Sequence, residues 1–267
     1  MMQLHVFCPY CLYELSKYEN CSDSYLLSIS IDEIRDDGIY TIKCSKGHES
    51  KIILNNINFE VLFELGVNAI IDGYYPNAVS SVTASMERYF EFFIKVLWKM
   101  NGLSYDKIET NWKKMSNQSE RQLGAYLSMY AQLFHCETPL LSNKMISFRN
   151  NVIHKGIIPT KDDTIEFADS VLRLIESSLI KLKCRYPQTV RIVYNHFLPQ
   201  YENSEDKMVL RINELTIINV LNGREIEEDD RRRGDIRKQI EIIEMDRKQK
   251  KICPIRERRS NGNHAVK

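Results

Sequence analysis

Two pairs of metal-binding side chains near the N-terminus constrain the fold of this chain more than any other feature. Cys8-Pro9-Tyr10-Cys11 and Cys44-Ser45-Lys46-Gly47-His48 are separated by 32 residues. That spacing lets two tight turns bring four ligands to one tetrahedral site. Pro9 fixes φ in the first turn, and Gly47 permits a positive φ in the second. The expected ligands are Cys8, Cys11, Cys44 and His48, with Cys21 as a competitor for the place of His48. Four protein ligands leave no open coordination position, so the expected metal is a structural zinc. Between the pairs, residues 25–31 and 38–43 alternate as strands do, and residues 49–54 supply a third. Residues 1–55 are thus read as a small β zinc ribbon, with too little apolar bulk to fold without such a staple.

From residue 56 to 186 the pattern changes to helical period. Residues 59–71 form a first amphipathic stretch, closed by Asp72-Gly73. Pro76 opens the next, in a position where its missing N–H costs nothing. Val79, Val82, Met86, Phe90, Phe93 and Leu97 then recur at steps of three and four, with Glu87 flanking the stripe. A third helix starts near Ser119 and presents Leu123, Leu127, Tyr130 and Phe134. A fourth is expected from an Asn143 N-cap to Gly156, and a fifth over residues 162–183, with Ala168, Val171, Leu172, Ile175, Leu179 and Leu182 inward. Short connections imply antiparallel neighbours, hence a mainly α, up-and-down bundle.

Within the fourth helix, Arg149-Asn150-Asn151-Val152-Ile153-His154 stands out. Met145, Ile146, Phe148, Val152 and Ile153 are expected to share one apolar arc, with Arg149 projecting from its middle and Asn150 and His154 on its flank. A guanidinium on a packing face must find an anion or bear a large desolvation cost. Glu87 is the expected partner. Arginine and histidine together suit phosphate chemistry, since one forks onto the anion and the other moves a proton near neutral pH. Positions five apart lie about 140° apart on one helix. Convergence of Arg149 and His154 therefore calls for Arg149 to wrap around the helix or for a second copy of the helix across a two-fold axis, and the second option also explains an arginine on an apolar arc.

Composition narrows the classes. A 43% hydrophobic and 27% charged chain of 267 residues is that of an ordinary globular protein. No run approaches the ~20 apolar residues that span a bilayer, and the first residues lack a signal pattern, so a cytoplasmic protein with no membrane partner is expected. Seven cysteines, two of them in a tight pair, favour metal over a disulfide framework in a reducing compartment. Net charge is only +1, but residues 245–260 hold seven Lys/Arg against Asp246 and Glu257, a basic tail able to touch phosphates.

The segments Asp72-Gly73-Tyr74-Tyr75-Pro76-Asn77, Ser85-Met86-Glu87-Arg88-Tyr89-Phe90-Glu91 and Phe148-Arg149-Asn150-Asn151-Val152-Ile153-His154-Lys155-Gly156, with Pro159-Thr160 beyond, resemble the HEPN domain superfamily. The resemblance covers about residues 59–183, and Arg149, Asn150 and His154 match the family's arginine–polar–histidine motif with a four-residue spacer. It implies a homodimeric, metal-independent endoribonuclease whose two motifs meet at the two-fold axis. By this resemblance Arg149, His154 and Asn150 are the site residues, with Glu87 expected beside them to orient Arg149; RNA (tRNA among the candidates) is the substrate, and a cognate inhibitor or sensor protein is a partner. Many members are toxins or antiviral-defence effectors. Others are non-catalytic dimeric scaffolds that bind RNA, a nucleotide or a protein, and this is the alternative reading. A zinc-ribbon DNA-binding regulator is a third.

Residues 187–267 change character again and are read as a C-terminal extension, mixed or partly disordered. Residues 190–194 and 208–220 are expected as strands, residues 224–251 as an exposed helix docking on a partner, and Cys253 as a free thiol.

Overall fold

The computed structural model describes residues 4–15, 28–31, 33–202, 208–213, 216–221 and 235–252. Cys21, Cys253 and the second half of the basic tail lie outside these. The fold is mainly α with a small β region, as the periodicities indicate.

The N-terminal module begins with strand β1 (Leu4–Phe7), which runs antiparallel to β2 (Ser28–Ile31), and a short helix α1 (Pro9–Leu15) lies between them. A hairpin follows, β3 (Ile39–Lys43) against β4 (Glu49–Leu54), with Ile42 opposite Ser50. Strand β3 alternates as a half-buried strand should, Tyr40 and Ile42 inward and Thr41 and Lys43 outward. Its neighbour does not: Ile52, Ile53 and Leu54 are all buried, and Ile52 and Leu54 share a small core to which the bundle helix α2 (Asn58–Ile71) adds Val61 and Leu65. On the other edge of β4 lies β5 (Val209–Ile212), parallel to it, Lys51 opposite Val209. The sheet of the N-terminal module is thus completed by the C-terminal extension.

The bundle gathers around α3 (Tyr75–Met100), whose predicted stripe of Val79, Val82, Met86, Phe90, Phe93 and Leu97 is buried throughout. Around it pack α2, α4 (Tyr105–Trp112), α5 (Ser119–Phe134), α6 (Asn143–Lys155), α7 (Lys161–Arg185) and α8 (Pro187–Phe197). Gly66 is where α2 and α3 come closest, since a Cβ there would lie 2.6 Å from the Val82 Cγ2 methyl. The inward stripe of α7 is as expected. That of α5 is displaced in its first half: Leu123 and Leu127 are 38% and 42% exposed and Tyr126 turns inward in their stead, while Tyr130 is buried as expected, the two tyrosines stacking on Phe90 and Phe93 at 4.3 and 5.8 Å.

The C-terminal extension corrects three further expectations. Residues 190–194 are helical, not extended, and belong to α8, which opens with Pro187 and buries Val190, Val193 and Tyr194 in the bundle core. In residues 208–220 the described strand is confined to β5, and the segment around Ile218 and Val220 instead packs into the bundle. Helix α9 (Ile236–Ile252) docks on this chain's own α7 and α2, burying Ile236 and Ile240 one turn apart. The receiving surface is a polar ladder along α2: Glu60, Glu64, Asn68 and Asp72, spaced by four. Glu60 accepts the Val220 N–H at 2.7 Å and the Ile57 N–H at 3.1 Å, and Glu64 accepts the Ile217 N–H at 3.2 Å. Asp72 pairs with Arg247 of α9 at 2.7 Å, and Arg247 also donates to Asn68. Burial pushes the Glu60 carboxyl up to about 7, against four donors that favour its anion.

Candidate functional sites on helix α6 and at the cysteine–histidine cluster

Helix α6 is bounded by a side-chain cap at one end and a left-handed glycine at the other. The Ser142 hydroxyl accepts the Met145 N–H at 3.3 Å, so the N-cap falls one residue before the expected Asn143. Gly156, at φ 69°, provides the left-handed C-terminal residue anticipated from sequence. Met145, Phe148 and Val152 turn toward the bundle, where Phe148 meets Phe167 of α7 at 5.6 Å between ring centres.

The single apolar arc expected here is split. Ile146 and Ile153 are 40% and 38% exposed and face away from the core. With about 100° per residue, the order around the helix runs Val152, Met145, Arg149, Ile153, Ile146, Asn150, His154. Arg149 therefore stands at the edge of the buried face, and two exposed isoleucines lie between it and His154. Beyond the helix end, Ile157 and Ile158 are exposed as well. The reason is local: with α3 and α7 on one side only, a helix this short has one face to bury.

Arg149 does find an anion. Its Nη2 lies 3.3 Å from Glu87 Oε1 on α3, and its Nη1 donates to the Asn150 side-chain oxygen at 2.9 Å. Both partners of the ion pair are 23% exposed, so the pair sits at the surface with bulk water on one side. The same Glu87 oxygen accepts the Ser119 hydroxyl at 2.8 Å, tying the first residue of α5 to the pair. Sequence reasoning treated Ser119 only as a helix start, and nothing in its spacing to Glu87 or Arg149 signals this contact. A guanidinium has five N–H donors. Two acceptors hold its orientation and leave donors to meet an incoming anion. His154 is exposed in the last turn of α6. Within one chain the structure brings Glu87, Arg149 and Asn150 together, while His154 lies one helical turn beyond Asn150.

The second site assembles as the ligand spacing predicts. Cys8 follows β1, Cys11 sits in the first turn of α1, and Cys44 and His48 bracket the β3–β4 turn. The first pair is therefore carried by a helix start rather than by a second knuckle. In the β3–β4 turn, Gly47 adopts φ 84° and donates its N–H to Cys44 at 2.9 Å. The four ligand atoms all lie within 4.8 Å of one another. Cys11 Sγ is 4.0 Å from Cys44 Sγ and 3.5 Å from His48 Nδ1, and Cys8 Sγ is 3.8 Å from the same nitrogen. A tetrahedral zinc with bonds of about 2.3 Å to sulfur and 2.0 Å to nitrogen requires S···S and S···N edges of about 3.8 and 3.6 Å. The donor set and its dimensions fit that ion. Burial and the neighbouring Cys8 and Cys44 thiols push Cys11 up to about 11. Burial also opposes ionisation of Cys44, but the His48 and Lys46 backbone N–H groups outweigh it and bring that thiol down to about 7. Tyr10, beside His48, accepts the Met208 N–H at 3.2 Å, so the centre also touches the strand that completes its sheet.

No described helix is long and apolar enough to cross a membrane. Compared with known proteins, the chain matches no family model, no curated protein and no solved structure.

Proposed function

We propose that this protein is a metal-independent endoribonuclease acting as a homodimer, with Arg149 and His154 of two copies meeting at a shared site. The observation that carries this reading is the surface-held Arg149: Glu87 and Asn150 orient it at 3.3 and 2.9 Å on the same short helix that exposes His154. The exposed Ile146 and Ile153 between the two give a second copy of α6 an apolar strip to seat on.

RNA carries its own nucleophile, so the protein need only move protons and stabilise charge. One His154 imidazole takes the proton of the 2′-hydroxyl as its oxygen attacks phosphorus. The imidazolium of the other copy gives a proton to the departing 5′-oxygen. Arg149 forks onto the non-bridging oxygens and stabilises the pentacovalent transition state. Asn150 and Glu87 are positioning residues that hold the guanidinium before substrate arrives. The products are a 2′,3′-cyclic phosphate and a 5′-hydroxyl. Uncontrolled RNA cleavage harms the cell that makes the enzyme, which fits a toxin or antiviral-defence effector restrained by a cognate inhibitor or sensor. The Cys8, Cys11, Cys44 and His48 centre is proposed to hold one structural zinc, with all four positions filled by protein.

The composite site makes a demand of its own. A mixed dimer of wild type with His154→Ala carries only one of the two histidines that the reaction uses, so an excess of His154→Ala protein is expected to lower wild-type activity on single-stranded RNA once subunits exchange. Wild-type activity unchanged by that excess, with exchange verified, would rule out sharing between copies.

A further inference from the structure

Away from α6, a surface groove of about 580 Å³ opens between the end of α3, α4 and the start of α5. That volume is in the range of small-ligand sites. Its walls combine two kinds of chemistry. Trp98 and Met115 supply a half-buried apolar surface, and Lys114 and Arg121 stand exposed at the rim. Neither cation pairs with a carboxylate among the described residues, and Lys113 beside them is exposed too. Arg121 is not free to wander, because its Nη1 donates to the Lys114 carbonyl at 2.9 Å across the turn. Asn111 donates its amide to the Lys107 carbonyl at 2.9 Å, which leaves the Asn111 side-chain oxygen able to accept a bond.

Gly124 adds an independent observation. It lies inside α5, where glycine costs about 1 kcal/mol relative to alanine. Helix packing does not require it, since a Cβ there would meet nothing within 4 Å. It lines the same groove as Trp98, with open space where a side chain would stand. A local rule broken with no packing gain is the mark of a functional surface. The groove is also joined to the Arg149 centre through α5, because Ser119, two residues before Arg121, is bound to Glu87.

We propose that this groove is a subsite for single-stranded RNA, in which one unpaired base stacks on the Trp98 indole and the flanking phosphates meet Lys114 and Arg121. The inference rests on the ribonuclease reading for the identity of the polymer. An indole accepts any base face, and aromatic stacking of this kind is sequence-tolerant. The exposed cations at the groove rim suit the phosphates of a strand whose bases are unpaired, whereas a duplex hides its bases from the indole. The groove therefore grips the strand at a distance from the bond that is cut.

The test uses the full-length protein and a fluorescein-labelled, 2′-O-methylated single-stranded 12-mer, which cannot be cleaved by 2′-hydroxyl attack. Fluorescence anisotropy reads the dissociation constant over a range of salt. Trp98→Leu is expected to weaken binding about tenfold. Gly124→Phe, which fills the groove and removes no native contact, is expected to weaken it similarly. Lys114→Ala with Arg121→Ala is expected to lower the slope of log Kd against log salt by about 1.4, the value for two phosphate contacts on a single strand. Wild-type affinity and slope in all these variants, their thermal melts unchanged, would overturn the proposal. So would equal affinity for a duplex of the same sequence, or the absence of binding by wild type. The two readings separate cleanly. A protein that cuts RNA but ignores the groove substitutions loses only the subsite, and one that binds through the groove but never cuts loses only the nuclease.

Discussion

Helices α2 and α6 both break the rule that polar residues face water and apolar residues face the core, and they break it in opposite directions. Along α2, Glu60 is fully buried and Glu64 and Asn68 nearly so. Along α6, Ile146 and Ile153 are exposed. The difference lies in what covers each stripe. The α2 ladder is covered by the chain itself, through the amides of Ile217 and Val220 and the guanidinium of Arg247. No described segment covers the α6 strip, which runs between the two residues assigned to chemistry. An inverted stripe that finds its partner within the chain is architecture. One that does not is where the proposed second copy would seat.

Substitutions that attack the α2 ladder should cost stability and leave association alone. The largest effect is expected from Glu60→Ala, which strands the buried N–H groups of Val220 and Ile57, each costing about 1–3 kcal/mol when unsatisfied. Urea unfolding is expected to show a loss of about 3–5 kcal/mol. A cost under about 1 kcal/mol would mean that the C-terminal segment is not held there.

The titration of Glu60 sharpens the same point. Its folded carboxyl titrates at about 7 against an ordinary value of 4.5, so the folded state holds the proton more tightly. The protonated acid is spared the cost of burying an anion. This contribution is present in full below pH 4.5 and is lost as pH rises through about 7, a decline of roughly 3 kcal/mol. Unfolding curves from pH 5 to 8 measure it. Glu60→Gln is expected to flatten the dependence, and an equal slope in that variant would place its origin elsewhere.

Gly66→Ala tests the close approach of α2 to α3. In an open helix the change stabilises by about 1 kcal/mol, but here the new methyl would meet Val82 at 2.6 Å. The expected outcome is a loss of about 1–3 kcal/mol by thermal or urea unfolding. The smallest effect on stability belongs to α6: Ile153→Glu is expected to change it by no more than about 0.5 kcal/mol. Sedimentation should nevertheless show the dimer dissociating, with cleavage lost alongside. A dimer that survives Ile146→Glu with Ile153→Glu would remove the strip from the interface.

Much of this was legible in the sequence, because it depends on neighbours at fixed spacing. The α3 stripe, the Gly156 helix stop and the four ligands at Cys8, Cys11, Cys44 and His48 are all local signals. What was not legible depends on distant partners. Glu60 reads as a surface acid until Val220, 160 residues along the chain, is brought against it. Residues 190–194 alternate like a strand, and packing on α3 makes them a helix, a result that Pro187 at a first helical position could have signalled. In α9, Ile236, Ile240 and Ile243 fall at helical steps of four and three among charges, and they pack on this chain's own core. On α6, periodicity placed Ile146 and Ile153 with the core, since hydrophobic spacing cannot distinguish a core face from a face kept for another molecule.

The measurement that bears most directly on the central claim compares purified wild type with His154→Ala, each incubated with total tRNA and with a labelled single-stranded RNA in EDTA. The expected result is cleavage by wild type alone, leaving 2′,3′-cyclic phosphate and 5′-hydroxyl ends, while both proteins remain folded dimers. Cleavage by both proteins at equal rates, or by neither, would contradict it.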